Sequence, residues 1–119
     1  MKVTKKQFNS FKKSFNTTCE KLGLTEYQIT FSQDILEGKF ASIVVDHEPR
    51  MAVVTLCTEL HCKLDKQDKQ EFNPIWLGKH EALHLLLSKF AFMAECRSTL
   101  ISDLDKEEHR IIRRLEKVL

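Results

Sequence analysis

The sequence predicts an α+β fold in the order α-β-β-β-α-α, a three-stranded antiparallel sheet packed against a long helix and a C-terminal helix. Three observations predict it. Apolar residues recur at intervals of three and four in an N-terminal stretch and again in the C-terminal half, the period of amphipathic helices. Between these lie three short runs rich in β-branched and aromatic residues. The turns between those runs are too short for a crossover helix, so neighbouring strands are expected to run antiparallel.

The first helix is expected from about Thr4 to Leu22. Phe8, Phe11, Phe15, Cys19 and Leu22 form its apolar face, Lys5, Lys6, Lys12 and Lys13 its polar one, and Gly23 stops it. The first strand alternates Tyr27, Ile29 and Phe31 with Gln28, Thr30 and Ser32. A turn at Glu37-Gly38-Lys39 leads to a second strand, Phe40 to Asp46. The polar turn HEPR, His47 to Arg50, leads to a third, Met51 to Cys57. Residues Lys63 to Gln70 are polar and read as a loop. Asn73-Pro74 has the form of a helix start, a side-chain cap followed by proline in the first turn. That helix should reach Glu95 or Cys96. After the loop RSTLIS, Ser102 or Asp103 should cap a last helix running to Leu119, with Arg113, Arg114 and Lys117 near its negative end.

With 119 residues, no repeat and no Pro/Gly-rich linker, the chain is expected to be one domain, 1–119. Hydrophobic residues at 42% supply a core, and a net charge of +2 is too balanced to make nucleic acid the main partner. The richest apolar stretch, Ala82 to Ala94, is interrupted by His84, Ser88 and Lys89, which argues against a membrane span. The start MKVTKKQF lacks a secretory apolar core. Cys19, Cys57, Cys62 and Cys96 contain no C-x-x-C pair and read as reduced thiols. A cytoplasmic protein is the expectation.

The chemistry concentrates in His80-Glu81-Ala82-Leu83-His84, an H-E-x-x-H inside the long helix. Histidines four apart share a helix face and can grip one zinc ion with bonds of about 2.0–2.1 Å. Glu81 lies to the side, where it can act as general base on water activated by that ion. Chance would place such a motif in a chain of this composition in about 2% of cases. The flanking Leu77, Gly78, Ala82, Leu83, Leu85 and Leu86 make the helix apolar nearly all round, and polar groups there need partners.

A catalytic zinc needs a third protein ligand and an open position. A histidine six after the second is excluded, because that residue is Phe90. Glu95 would lie about 16 Å along the helix, too far to share the ion. On the last helix the apolar stripe Leu104, Ile111, Ile112, Leu115, Val118 and Leu119 places Glu108 about 20° from its centre. Glu107 lies further off and His109 further still. Glu108 is therefore the expected third ligand, with Glu107 and His109 as alternatives. Hydrolases of this kind bind substrate as an added strand on a sheet edge. The expected edge is Ala52, Val53, Val54, Thr55 and Leu56.

HEALHLLL, the preceding turn and strand HEPRMAVVTL and the closing helix EEHRIIRRLEKVL resemble the zincin-like metallopeptidases. The resemblance is closest to small single-domain gluzincins, the minigluzincins, and extends to metallopeptidase-like proteins encoded by phages and prophages. It implies a zincin-like fold, one zinc held by His80, His84 and Glu108, Glu81 as general base, and a peptide or protein as substrate. One departure is that the only tyrosine, Tyr27, lies on the first strand, leaving the oxyanion donor unassigned. That favours an alternative, a non-catalytic zinc-binding protein with a phage or host protein partner. Outside the motif, His47 reads as part of a solvated turn, His61 as surface, and Phe72 and Trp76 as core anchors or pocket lining.

Overall fold

A computed structural model describes residues 1–60, 72–96 and 98–118. The predicted loop at 63–70 and the residues His61 and Cys62 lie outside these. Three helices and a three-stranded mixed sheet form an α+β fold, in the order α1 (Lys5–Lys21), β1 (Gln28–Asp34), β2 (Ala41–Asp46), β3 (Met51–Cys57), α2 (Pro74–Glu95) and α3 (Ile101–Glu116).

Helix α1 is fixed at its start by a reciprocal cap. The Thr4 hydroxyl accepts from the Gln7 amide, and the Gln7 side chain accepts from the Thr4 amide. Gly23, at φ 69°, supplies the left-handed turn that ends it. Phe11, Phe15 and Cys19 are buried, and both phenylalanine rings meet Phe31 of β1 edge to face. Helix α2 opens as expected. Asn73 Oδ1 accepts from the amides of Ile75 and Trp76, and Pro74 follows at the first helical position. Helices α1 and α2 are in close backbone contact at Gly78. A Cβ there would lie 2.7 Å from the Phe11 carbonyl oxygen and 2.8 Å from the Phe15 amide nitrogen. Helix α3 begins at Ile101, ahead of the expected cap; Leu100 caps it without a side-chain bond.

The sheet differs from the antiparallel meander that short turns suggest. Its order is β1-β3-β2, with β1 parallel and β2 antiparallel to the central β3. Ala52, Val54, Leu56 and Cys57 are all buried, so β3 carries the greatest apolar content and takes the middle. Gln28, Gln33 and Asp34 leave β1 largely exposed, as befits an edge. Turn length says that β1 and β2 are joined closely, but it does not say whether a third strand lies between them. The helices cover one face of the sheet; Val44, Met51 and Val53 point out of the other.

Candidate metal centre

The side chains of His80 and His84 meet on one face of α2. Their Nε2 atoms are 3.1 Å apart and their ring centroids 4.7 Å. Trp76, one turn earlier, stacks on His80 at 4.9 Å with the planes 24° apart, and so fixes that ring. Trp76 remains partly exposed and serves the histidine rather than the core. Two imidazole nitrogens at this separation suit two corners of one coordination sphere with bonds of about 2.0–2.1 Å. Without an ion, one nitrogen must donate its proton to the other.

Glu81 turns inward and is only 5% exposed. Burial pushes its carboxyl above the ordinary carboxylate range, while His84, His80 and Lys39 pull the other way. Among the described residues its carboxylate has no hydrogen-bond or ion-pair partner. A buried carboxyl of raised basicity beside two imidazoles is equipped to take up a proton.

The expected third ligand needs correction. Glu108 is exposed, and the carboxylate that α3 buries is Glu107, at 5% exposure. Glu107 Oε1 accepts from Arg110 Nε at 2.6 Å and from Arg110 Nη2, and Lys89 Nζ of α2 lies 3.9 Å from its other oxygen. The centre of the inward face, between Glu107 and Ile111, lies about 60° from the apolar stripe read in the sequence. Ile112 and Val118, counted in that stripe, are partly exposed. Arginines explain the rotation. Arg114 donates through Nη1 to the carbonyls of Leu22 and Gly23, and Arg110 holds Glu107, so residues that look solvent-facing bind α3 to its neighbours. His109 is also excluded from the pair's surroundings. Its Nδ1 lies 2.7 Å from the Asp105 carbonyl oxygen of its own helix, and its ring is exposed. Among the described residues, no three of His, Cys, Asp and Glu come together as a ready metal cage.

The expected substrate edge also needs correction. Ala52 to Leu56 belong to β3, whose backbone is paired on both sides and offers nothing to an added strand. Among the described residues, the free edge beside the histidines is β2. A cavity of about 340 Å³ is lined by Ile43, Val45 and His47 on one side and by His84, Leu87 and Phe92 on the other. The Cys57 amide donates to the Phe40 carbonyl. Alternation from that pair directs the backbone groups of Ser42, Val44 and Asp46 to β3, and those of Ala41, Ile43 and Val45 to the open edge.

His47 is not a solvated turn residue. Its Nδ1 is buried without a partner among the described residues, and its ring lies 5.0 Å from that of Phe92. No composition or spacing signal marks it, because its burial depends on α2 packing beside the β2–β3 turn. No family model, no curated protein and no solved structure matches the chain. No helix among the described residues is long and apolar enough to cross a membrane.

Proposed function

We propose that the chain is a zinc-dependent peptidase of the zincin-like kind. The single observation that supports this most is the pair of Nε2 atoms 3.1 Å apart with the buried Glu81 between them in sequence. The two imidazoles suit zinc, for which histidine is a common ligand in hydrolytic sites. His80 and His84 would hold it; Glu107, held by Arg110 beside Lys89, is not grouped with them, so among the described residues the third ligand is unassigned. When bound, zinc polarises the carbonyl under attack and makes water more acidic. Glu81 takes the proton from the attacking water and returns it to the leaving nitrogen; its burial raises its basicity for the first step. Trp76 holds His80 in orientation. The open edge of β2, at Ala41, Ile43 and Val45, pairs with the peptide and aligns it past the histidines.

A second reading, a zinc-binding or interaction protein without catalysis and with a phage or host protein partner, draws support from Glu107 being engaged by Arg110 and Lys89. One experiment separates the two. Purified protein is loaded with zinc, its metal content measured, and hydrolysis of a mixed peptide library followed by mass spectrometry. The peptidase reading expects about one zinc per chain in both wild type and Glu81→Gln, with cleavage only in the wild type. Zinc binding without cleavage in the wild type favours the second reading, and cleavage that survives Glu81→Gln refutes the assigned base.

A further inference from the structure

Two cavities meet at His47. The first is the groove along β2 described above, with His84 at one end and Phe92 and Glu95 at the other. The second, of about 250 Å³, is lined by Glu26, Tyr27, Arg50, Lys89, Arg110 and Arg114, again with His47. Four cations thus face Glu26 and the adjoining Glu107. Arg114 is 3.8 Å from Glu26, and Arg110 and Lys89 attend Glu107. Arg50 makes no ion pair among the described residues and is exposed on the β2–β3 turn. The Tyr27 phenol, pushed above its ordinary value by burial, remains a donor. The His47 side chain lines both cavities, while its Nδ1 is buried away from them with no partner among the described residues.

Cation excess and an arginine without an ion pair, beside a largely apolar groove, together describe a place for a carboxylate attached to something apolar. Lys89 follows His84 by five residues, about 7.5 Å along the helix axis. An extended peptide advances about 3.3 Å per residue, so this distance corresponds to two or three residues. We propose that the groove takes an extended peptide whose acidic side chain, two or three residues from the bond lying at the histidine pair, is seated among Arg50, Lys89 and Arg110 beside His47. The apolar walls, Ile43, Val45, Leu87 and Phe92, take the residue between. This deepens the peptidase reading and rests on it.

The test is a binding scan. Fluorescein-labelled, C-terminally amidated octapeptides carry a single Glu or Gln, moved position by position through a neutral apolar sequence. Each is titrated by fluorescence anisotropy against zinc-loaded Glu81→Gln protein and against metal-free wild type. Glu should bind about tenfold tighter than Gln at one position, the worth of a charge-assisted contact at a half-open site. Arg50→Gly, which suits the left-handed backbone at φ 53°, should reduce that preference below about threefold without weakening the Gln peptide, and Arg50→Lys should keep it. A flat profile overturns the subsite, as does a preference untouched by Arg50→Gly. A preference that appears only when the terminal amide is replaced by a free carboxylate also overturns it, in favour of chain-end recognition. A flat profile with hydrolysis intact removes the subsite alone; an acid preference in a protein that neither binds zinc nor cleaves removes the peptidase reading alone.

Discussion

Replacing Glu107 with Gln should weaken the fold, whereas Glu108→Gln should not. Glu107 is 5% exposed and accepts two bonds from Arg110, whose side chain is 28% exposed; Lys89 stands 3.9 Å away and is half in solvent. A hydrogen bond to a charged group contributes about 1.5–3 kcal/mol when sheltered. Partial exposure and the bonds that Gln can still accept reduce this, and an open lysine at such a distance adds about 0.5 kcal/mol at most. The expected loss is about 1–2 kcal/mol, measured by urea denaturation of the metal-free proteins, or about 3–8 °C in Tm for a chain of this length. Glu108 faces water and should change stability by less than about 0.5 kcal/mol. Zinc affinity, read by competition with a chromogenic chelator, should fall by less than the 10–100-fold that even an outer-shell partner costs in either variant, because among the described residues neither carboxylate is grouped with the histidine pair. If either variant loses zinc, α3 reaches the histidine pair and the separation described for it is wrong. If both keep it, α3 does not supply a ligand.

Gly78→Ala should separate α1 from α2, because its Cβ would meet the Phe11 carbonyl at 2.7 Å where ordinary contact begins at 3.4 Å. The strain of about 1–3 kcal/mol exceeds the helix-propensity gain of about 1 kcal/mol, so denaturation should show a net loss; equal or greater stability would refute the close crossing. Glu81→Gln should gain stability over the metal-free wild type as pH rises. Burial raises the folded-state pKa of Glu81, so its favourable contribution is complete below its unfolded value of about 4.5 and disappears as pH climbs through the folded one. Urea titrations at pH 4 and pH 7 should therefore show a larger Gln advantage at pH 7, and a constant difference would mean that Glu81 is solvated. Cys19, whose thiol burial pushes up to about 12, and Cys57, also raised, should resist iodoacetamide at pH 8 until urea is added. Prompt labelling of either, located by peptide mapping, would contradict the packing of α1 or β3.

What was legible in the sequence was local. The i, i+4 histidines, the Asn73-Pro74 helix start and the Phe11–Phe15–Cys19 stripe are each set by spacing within one element, and each is where that spacing places it. What spacing does not contain is which elements touch. The apolar run Met51–Cys57 announces a buried strand, but only the competition among three strands for the centre decides its neighbours. The rotation of α3 was hidden for a different reason. Hydrophobic periodicity scores Arg110 and Arg114 as outward, yet their guanidinium groups are the donors that satisfy Glu107 and the carbonyls at the end of α1. His47, flanked by Asp46 and Glu48, has the composition of a surface turn and is covered only because Phe92 of α2 lies against it.

These two departures have a common consequence for the site. In a meander, β3 would be the open edge and β2 the middle strand, and the backbone positions available to a peptide would lie at Ala52 to Leu56. With β3 central, those positions are consumed by pairing, and the open amides and carbonyls move to Ala41, Ile43 and Val45, on the strand that shares a cavity with His84. The rotation of α3 likewise turns Glu107 toward α2 and brings Arg110 to the far end of the same cavity system. Sheet order and helix rotation, neither visible in a motif, therefore place a strand edge and His84 along one groove, with a cationic pocket adjoining it at His47. The motif supplies the reactive groups, and the packing decides what reaches them.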